Sequence, residues 1–335
     1  MEEERRPHRR GLQTALRVAL GVAGVGGIVL LVRRSGAEHL WATLAAAAPW
    51  LPVVVALEAG RMACDALALR AGHPELGRRV PLGALARGHL VGAALGAVLP
   101  AGRVVNEAMK GRAMAPYVGG AAATAAVAGN QAWMLVAGGL WSLPGAVAAL
   151  VLTGPGLLSL ALAVHAVGAC LLGAGMRAAS GSRRVGGWVG RRIRRLGDAA
   201  QRFGGIAREA PILSARPIAA FCAGRALQAV ELGVLLLAVG VPVVGAWQAL
   251  LGQGILIVAA AVGLFVPGQL GAQEGAFSFW APDLGADAAM ALAVPLLARA
   301  AQIFWVAVGA AVAVISPLPR GGGGGGVETE VEVEA

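Results

Sequence analysis

The chain has 335 residues, 57% of them apolar and only 14% charged, with a formal net charge of +10. A soluble domain carries about a quarter charged residues, so this composition excludes a water-soluble globular enzyme and points to helices packed in lipid. The basic excess is almost all arginine and flanks apolar runs, which reads as membrane topology and lipid-headgroup contact, with no nucleic acid as partner.

In chain order, residues 1–11 form a charged N-terminus without a cleavable-signal pattern, placed in the cytoplasm by its arginines. Leu12–Val32 is a first apolar span that stays, and a second covers 47–70. An apolar stretch at 82–99 ends in the polar segment PAGRVVNEAMKGR over 100–112. Spans follow at 117–142 and 146–176, then an arginine-rich segment at 177–216 and a span at 217–240. A further apolar stretch, 246–266, ends in PGQLGAQEG at 267–275, and the last span is 286–316. Residues 317–335 read as a flexible, Gly-rich, acidic tail that cannot bury a core. Runs of about 20 residues match a hydrocarbon core roughly 30 Å thick, and the abundant Gly and Ala suit helices that approach closely in lipid.

Within the basic segment, Val189, Ile193, Leu196, Ala200, Phe203 and Ala207 recur at three- and four-residue steps between arginines. That pattern predicts an amphipathic helix in which 183–208 contacts an anionic leaflet, or else a solvated basic loop. Either way the segment lies on the cytoplasmic side. A full crossing by 82–99 would put it outside, whereas a re-entrant hairpin over 82–112 keeps it inside. A rival reading splits 146–176 at Gly154-Pro155-Gly156 and restores full crossings throughout. The expected fold is therefore all-α and polytopic, with about six to eight transmembrane helices and two re-entrant hairpins in an inverted repeat. Both termini are then cytoplasmic.

The repeat is read from residues. The stretch Pro100-Ala-Gly-Arg-Val-Val-Asn106-Glu107 aligns with Pro267-Gly-Gln-Leu-Gly-Ala-Gln273-Glu274, in each an apolar run ending at proline with an amide–acid pair six and seven residues later. Upstream, Ala59-Gly60-Arg61 with Asp65 echoes Ala223-Gly224-Arg225 with Glu231. One copy is expected at about 47–142 and the other at about 217–316, in opposite orientation, an arrangement found in many transporters. Proline ends a membrane helix by removing a backbone donor, and the freed polar groups need protein or water, so broken helices at depth imply a cavity.

Charges in apolar segments need partners, because an ion at the bilayer centre costs about 2.5–3.5 kcal/mol on insertion scales. Glu58, Arg61 and Asp65 share one helix face and predict an intrahelical ion ladder. Lys110, Arg225, Glu231 and Gly271 lie in or beside the same segments, and Arg299 in the last span is expected to pair with Glu274. The candidate substrate-binding set is Arg61, Asp65, Pro100, Gly102, Asn106, Glu107, Lys110, Arg225, Glu231, Pro267, Gly268, Gly271, Gln273, Glu274 and Arg299. Catalytic and metal-ligating sets are not expected: the histidines are dispersed, Cys64, Cys170 and Cys222 lack metal spacing, and His165 reads as a packed or helix-bonded side chain. No phosphate-loop signature is present and no cofactor is implied; GVAGVGG at 21–27 lies inside an apolar span.

The segments LPAGRVVNEAMKGR and VPGQLGAQEGAFSFW, with LGADAAMALAVPLLARAAQIFWVAVGA after them, resemble the lysylphosphatidylglycerol synthase transmembrane-region (flippase-like) family of integral membrane proteins. Its most specific element is Pro267, Gly268, Gly271 and Glu274 followed by Arg299. The resemblance covers most of 12–316 and implies movement of a polar lipid between leaflets of a bacterial or archaeal plasma membrane. The aminoacyl-transferase domain of bifunctional relatives has no counterpart here, so no synthase activity is expected. From the residues, a lipid translocase leads; a secondary transporter of a small polar solute and an intramembrane lipid-modifying enzyme are the alternatives.

Overall fold

The computed structural model describes residues 22–98, 102–184, 197–209, 211–242, 245–263, 266, 269–316 and 318. Among them the regular structure is helical, with no strand. Helix α1 covers 22–35, and α2 (Ala37–Ala47) runs through a short 3-10 turn into α3 (Leu51–Gly72). After α4 (Pro74–Arg79) come α5 (Leu82–Val98), α6 (Gly102–Val118), α7 (Gly120–Thr153) and α8 (Leu157–Gly181). Helix α9 (Gly197–Glu209) is followed by α10 (Ala215–Ala238), α11 (Ala246–Val262), the short α12 (Ala272–Phe279) and α13 (Ala288–Ile315). Among the described residues, five stretches are long and apolar enough to cross a membrane: Ala37–Gly72, Gly120–Thr153, Leu157–Gly181, Ala215–Ala238 and Ala288–Ile315.

The exposed surface agrees with that reading. Leu157, Leu160, Val164, Val167 and Leu171 form an exposed apolar stripe along α8. In water such a stripe is a liability; against acyl chains it is the ordinary outer face of a spanning helix. The chain is thus a polytopic α-helical membrane protein.

Boundaries differ from the sequence reading: the span expected at 47–70 lies in a stretch that begins at Ala37 and ends at Gly72, and the larger change is in α7. The break expected between 142 and 146 is absent: α7 continues through Pro144 for 34 residues to Thr153, a length of about 51 Å at 1.5 Å per residue. The chain turns instead at Gly154, whose φ of +78° suits glycine, with Pro155 and Gly156 completing the interruption. Proline inside a membrane helix is tolerated because neighbouring helices re-satisfy the freed backbone groups. Of the basic segment, 185–196 (with Val189, Ile193 and Leu196) lies outside the described residues. The helix α9 that follows packs on α7 and α8 and buries Ala207.

Small residues set the helix contacts. Gly88, Gly92 and Gly96 recur every fourth residue on α5 and meet Ala113 and Lys110, Asn106, and Gly102 of α6 in turn. The order is reversed along α6, so α5 and α6 form an antiparallel hairpin. On α3 and α10, Gly60 faces Leu227 while Gly224 faces Cys64 and Arg61, which makes these two helices antiparallel as well. Gly145 of α7 packs on Gly254 of α11, and Gly309 of α13 packs on Leu90 of α5. These contacts are reciprocal: Gly60 and Gly224, Leu90 and Gly254, and Gly145 and Gly309 stand at one constant offset along the chain. The helix after each two-helix unit therefore crosses onto the opposite unit.

At the N-terminus of α13, Asp287 caps the helix by accepting from the Ala289 and Met290 amides at 2.8 Å, and it meets His39 of α2 at 3.1 Å. Slight burial works against its charge, but the Met290 amide, His39 and the Ala289 amide together hold its carboxyl below the ordinary range. A carboxyl depressed by folding contributes stability above its unfolded pKa and loses it as pH falls through the folded value. Asp287→Ala is expected to lower stability by about 1 kcal/mol, as loss of a helix cap does. Asp287→Asn, which still caps but does not titrate, is expected to lose the acid-side component of the melting profile. Thermal midpoints in detergent across acidic pH check both, and an unchanged slope in the Asn variant would sink the assignment.

Candidate functional site

Among the described residues, three carboxylate–cation groups are buried or half-buried in the bundle. The first lies between α12 and α13. Gly271, with φ +80°, starts α12, and its amide donates to Glu274 Oε2 at 3.0 Å. The other carboxylate oxygen, Oε1, accepts from Arg299 Nε at 3.0 Å and Nη2 at 2.8 Å. Glu274 is 0% exposed, so its charge depends wholly on this pair and the helix N-terminus. The pairing is the one expected from two isolated charges in apolar segments. Gln273 donates to Gln269 at 3.1 Å, and α1 closes over the turn, with Gly24 against the Leu270 carbonyl.

The second group lies in the α5–α6 hairpin. Lys110 donates to Glu107 Oε1 at 2.8 Å, and both side chains are almost fully buried. Glu107 Oε2, Asn106 Oδ1 and the Nδ1 of His89, on the facing helix, are buried without a hydrogen-bond partner. A buried polar atom left unpaired costs about 1–3 kcal/mol, so such atoms clustered on one hairpin mark a place where water or ligand groups belong. Lys110→Met should make this explicit, leaving Glu107 buried without a cation. We expect a loss of about 3 kcal/mol, set by the penalty for an uncompensated buried charge, read as a lowered melting midpoint in detergent. An unchanged midpoint would mean Glu107 is hydrated in place.

The third group lies where α3 and α10 cross. Arg61 donates to Glu58 through Nε at 2.7 Å and also through Nη2, giving a two-pronged pair. Asp65 and Glu231 both add attraction to Arg61. The expected ladder therefore has a hydrogen-bonded rung at Glu58–Arg61, with Asp65 acting through space. His89 feels Lys110, Asp65, Arg61 and Glu58, which links this group electrostatically to the hairpin. Along α10, Arg225 donates to Gln228 at 2.9 Å, and Gln253 of α11 donates to the same oxygen at 3.0 Å. His165 of α8 is bonded to Ser142 of α7 at 2.8 Å.

Of the candidate residues, Pro100, Pro267 and Gly268 lie outside the described residues. The rest are placed as follows. Glu274, Arg299 and Gly271 meet directly, as do Glu107 and Lys110, while Asn106 and Gly102 pack on the glycine stripe of α5. Arg61, Asp65 and Glu231 converge electrostatically. The Glu107 and Glu274 pairs sit in separate helix pairs, joined through α5, which packs on α13.

His89, Gln228 and Gln253 escaped the sequence reading, each a neutral polar residue in a largely apolar helix. A signal was available: His89 and Gln253 stand at the same offset as Arg61 and Arg225. Among the described residues no three of His, Cys, Asp and Glu converge as metal ligands. A cleft of about 340 Å³ between the α6–α7 junction and α9 is lined by Val118–Ala122, Arg202, Gly205, Ile206 and Glu209.

No family model, no curated protein and no solved structure matches the chain.

Proposed function

We propose that the chain is a lipid translocase that moves a polar or charged headgroup between leaflets, working as two oppositely oriented copies of one helical unit. The observation that carries this reading is the reciprocal packing: three residue pairs at one offset make corresponding contacts, and each half buries a carboxylate–cation pair, within α6 in one half and between α12 and α13 in the other. Antiparallel packing of α3 against α10 is what an in-plane pseudo-two-fold requires. Helices α5 and α6 have 17 residues each, about 25 Å, short of the roughly 30 Å core. We read them, and α11 with α12, as re-entrant hairpins.

In this reading a headgroup occupies the polar region between the two hairpins while acyl chains stay among lipids. Arg61, Arg225, Lys110 and Arg299 offer charge-assisted hydrogen bonds to a phosphate. Glu107 and Glu274 offer carboxylates to a cationic headgroup, with Asn106 and Gln273 as neutral partners. The arginines of 183–208 and α9 suit an anionic cytoplasmic leaflet. The resemblance to the flippase-like family agrees with this activity and with a bacterial or archaeal plasma membrane. No covalent chemistry is required.

The test uses purified protein in vesicles carrying a headgroup-labelled phospholipid and a membrane-impermeant quencher. Loss of the inner-leaflet label in vesicles with protein, and its persistence in empty ones, is the expected result. Uptake of a polar solute without lipid movement would instead identify a secondary transporter, and a covalently altered lipid would identify an enzyme. Single cysteines at 103–115 and 269–284, probed from each side, are expected to show the two turns accessible from opposite faces. Access from one face alone would overturn the inverted arrangement.

A further inference from the structure

The crossing of α3 and α10 has a charge imbalance that headgroup binding on the hairpins does not explain. Glu58 and Glu231 are both 5% exposed and lie on facing helices around one guanidinium, that of Arg61. Arg61 is committed to Glu58 by its two-pronged contact. The charges that act on Glu231 are those of Glu58 and Arg61. From the packed neighbours, α5 contributes His89 and α6 contributes Lys110, which is held by Glu107. Helix α3 adds Asp65, partly exposed; α11 adds the neutral Gln253; Arg225 of α10 is bonded to Gln228; and Arg299 of α13 is held by Glu274. Two buried carboxylates thus share one guanidinium, and burial of an uncompensated charge is costly enough that a counter-ion belongs there.

A second observation points to a ligand at the same place. His89 is 6% exposed, its Nδ1 has no partner, and the groups acting on it are Lys110, Asp65, Arg61 and Glu58. It therefore stands between the α3–α10 crossing and the α5–α6 hairpin with an open proton-accepting or donating position.

We propose that Glu231, with Glu58 and Arg61, forms a proton-binding site at the seam of the two halves, and that headgroup movement is driven by a proton gradient through it. The inference rests on the translocase reading for its coupling but not for the site itself. A proton fits better than a metal ion, because Arg61 already engages both carboxylate oxygens of Glu58. At the seam the corresponding helices of the two halves, α3 and α10, pack on each other, so the charge there acts on both halves at once. Binding of the proton adds one O–H bond on a Glu231 carboxylate oxygen, and release breaks it; His89 lies on the hairpin side of the site, where Glu58 and Arg61 act on it. With one proton per lipid, each pH unit across the vesicle shifts the leaflet distribution about tenfold.

Two measurements test this. Infrared difference spectra of the purified protein at neutral pH should show a protonated carboxylic C=O band that shifts in heavy water. The band should vanish in Glu231→Gln and also in Glu58→Gln, where Arg61 is free to take Glu231 as a carboxylate, and it should persist in Glu107→Gln. If Glu231→Gln does not fold, the wild-type and Glu58→Gln spectra decide. A missing band in the wild type, or one that survives Glu58→Gln, overturns the site. In vesicles, an imposed pH gradient should bias headgroup distribution in the wild type, and Glu231→Gln should lose that bias whatever its basal rate. Movement that answers to a sodium gradient and not to pH overturns the coupling. Absence of any lipid movement would remove the translocase reading and leave the infrared band to judge the proton site on its own.

Discussion

Replacing Glu274 with Gln is expected to destabilise the protein by about 3 kcal/mol and to abolish headgroup movement. The carboxylate is 0% exposed and holds two Arg299 nitrogens on Oε1 and the Gly271 amide on Oε2. Breaking a buried ion pair by removing one partner costs about 3–5 kcal/mol, because the remaining charge stays buried. The low end applies here, since the Arg299 side chain keeps 21% of its surface exposed. A double variant, Glu274→Met with Arg299→Met, separates two roles. Removing both charges together should restore most of the melting midpoint, as replacement of a whole buried pair by apolar groups often does. On the proposed translocase reading activity should not return, because the site has lost both charged groups. If activity does return with stability, the pair is scaffold only.

The second large effect is expected at the helix crossings. A Cβ added at Gly309 would run into the Leu90 carbonyl oxygen, a backbone atom that cannot rotate aside. Gly309→Ala should therefore push α13 off α5 and cost about 1–3 kcal/mol, the usual range for overpacking a tight contact. Translocation should fall with it, since α5 carries His89 and faces Lys110. The reciprocal position is more forgiving: a Cβ at Gly145 would lie 3.2 Å from the Gly254 Cα, and a few tenths of an ångström of movement absorb it. Gly145→Ala should cost less than Gly309→Ala in detergent melting. Equal costs, or the reverse order, would show that α13 does not set the position of the first hairpin.

Which features were readable in advance follows from the range of the forces involved. The pairing of Arg299 with Glu274 was legible because each is a lone charge in an apolar segment, and lone charges in lipid must find each other. The Glu58–Arg61 contact was legible because neighbours one turn apart on a helix meet by geometry alone. The boundary expected between 142 and 146 gives way to a turn at Gly154-Pro155-Gly156, where the rival reading places the break. In a bundle, Pro144 stays helical. His89 and Gln253 were invisible one at a time, and only the crossings of α5 and α11 with their neighbours bring them to the charged groups.

Composition and hydrophobic run length thus determined the class, the apolar spans and the need for charge pairing, since these depend on the chemistry of each segment and the thickness of the solvent around it. Tertiary structure alone decided which helices cross, where glycine lets backbones touch, and that Glu58 and Glu231 come to share one guanidinium. Those outcomes depend on contacts between residues far apart in the chain, whose register is set by packing and not by any local preference.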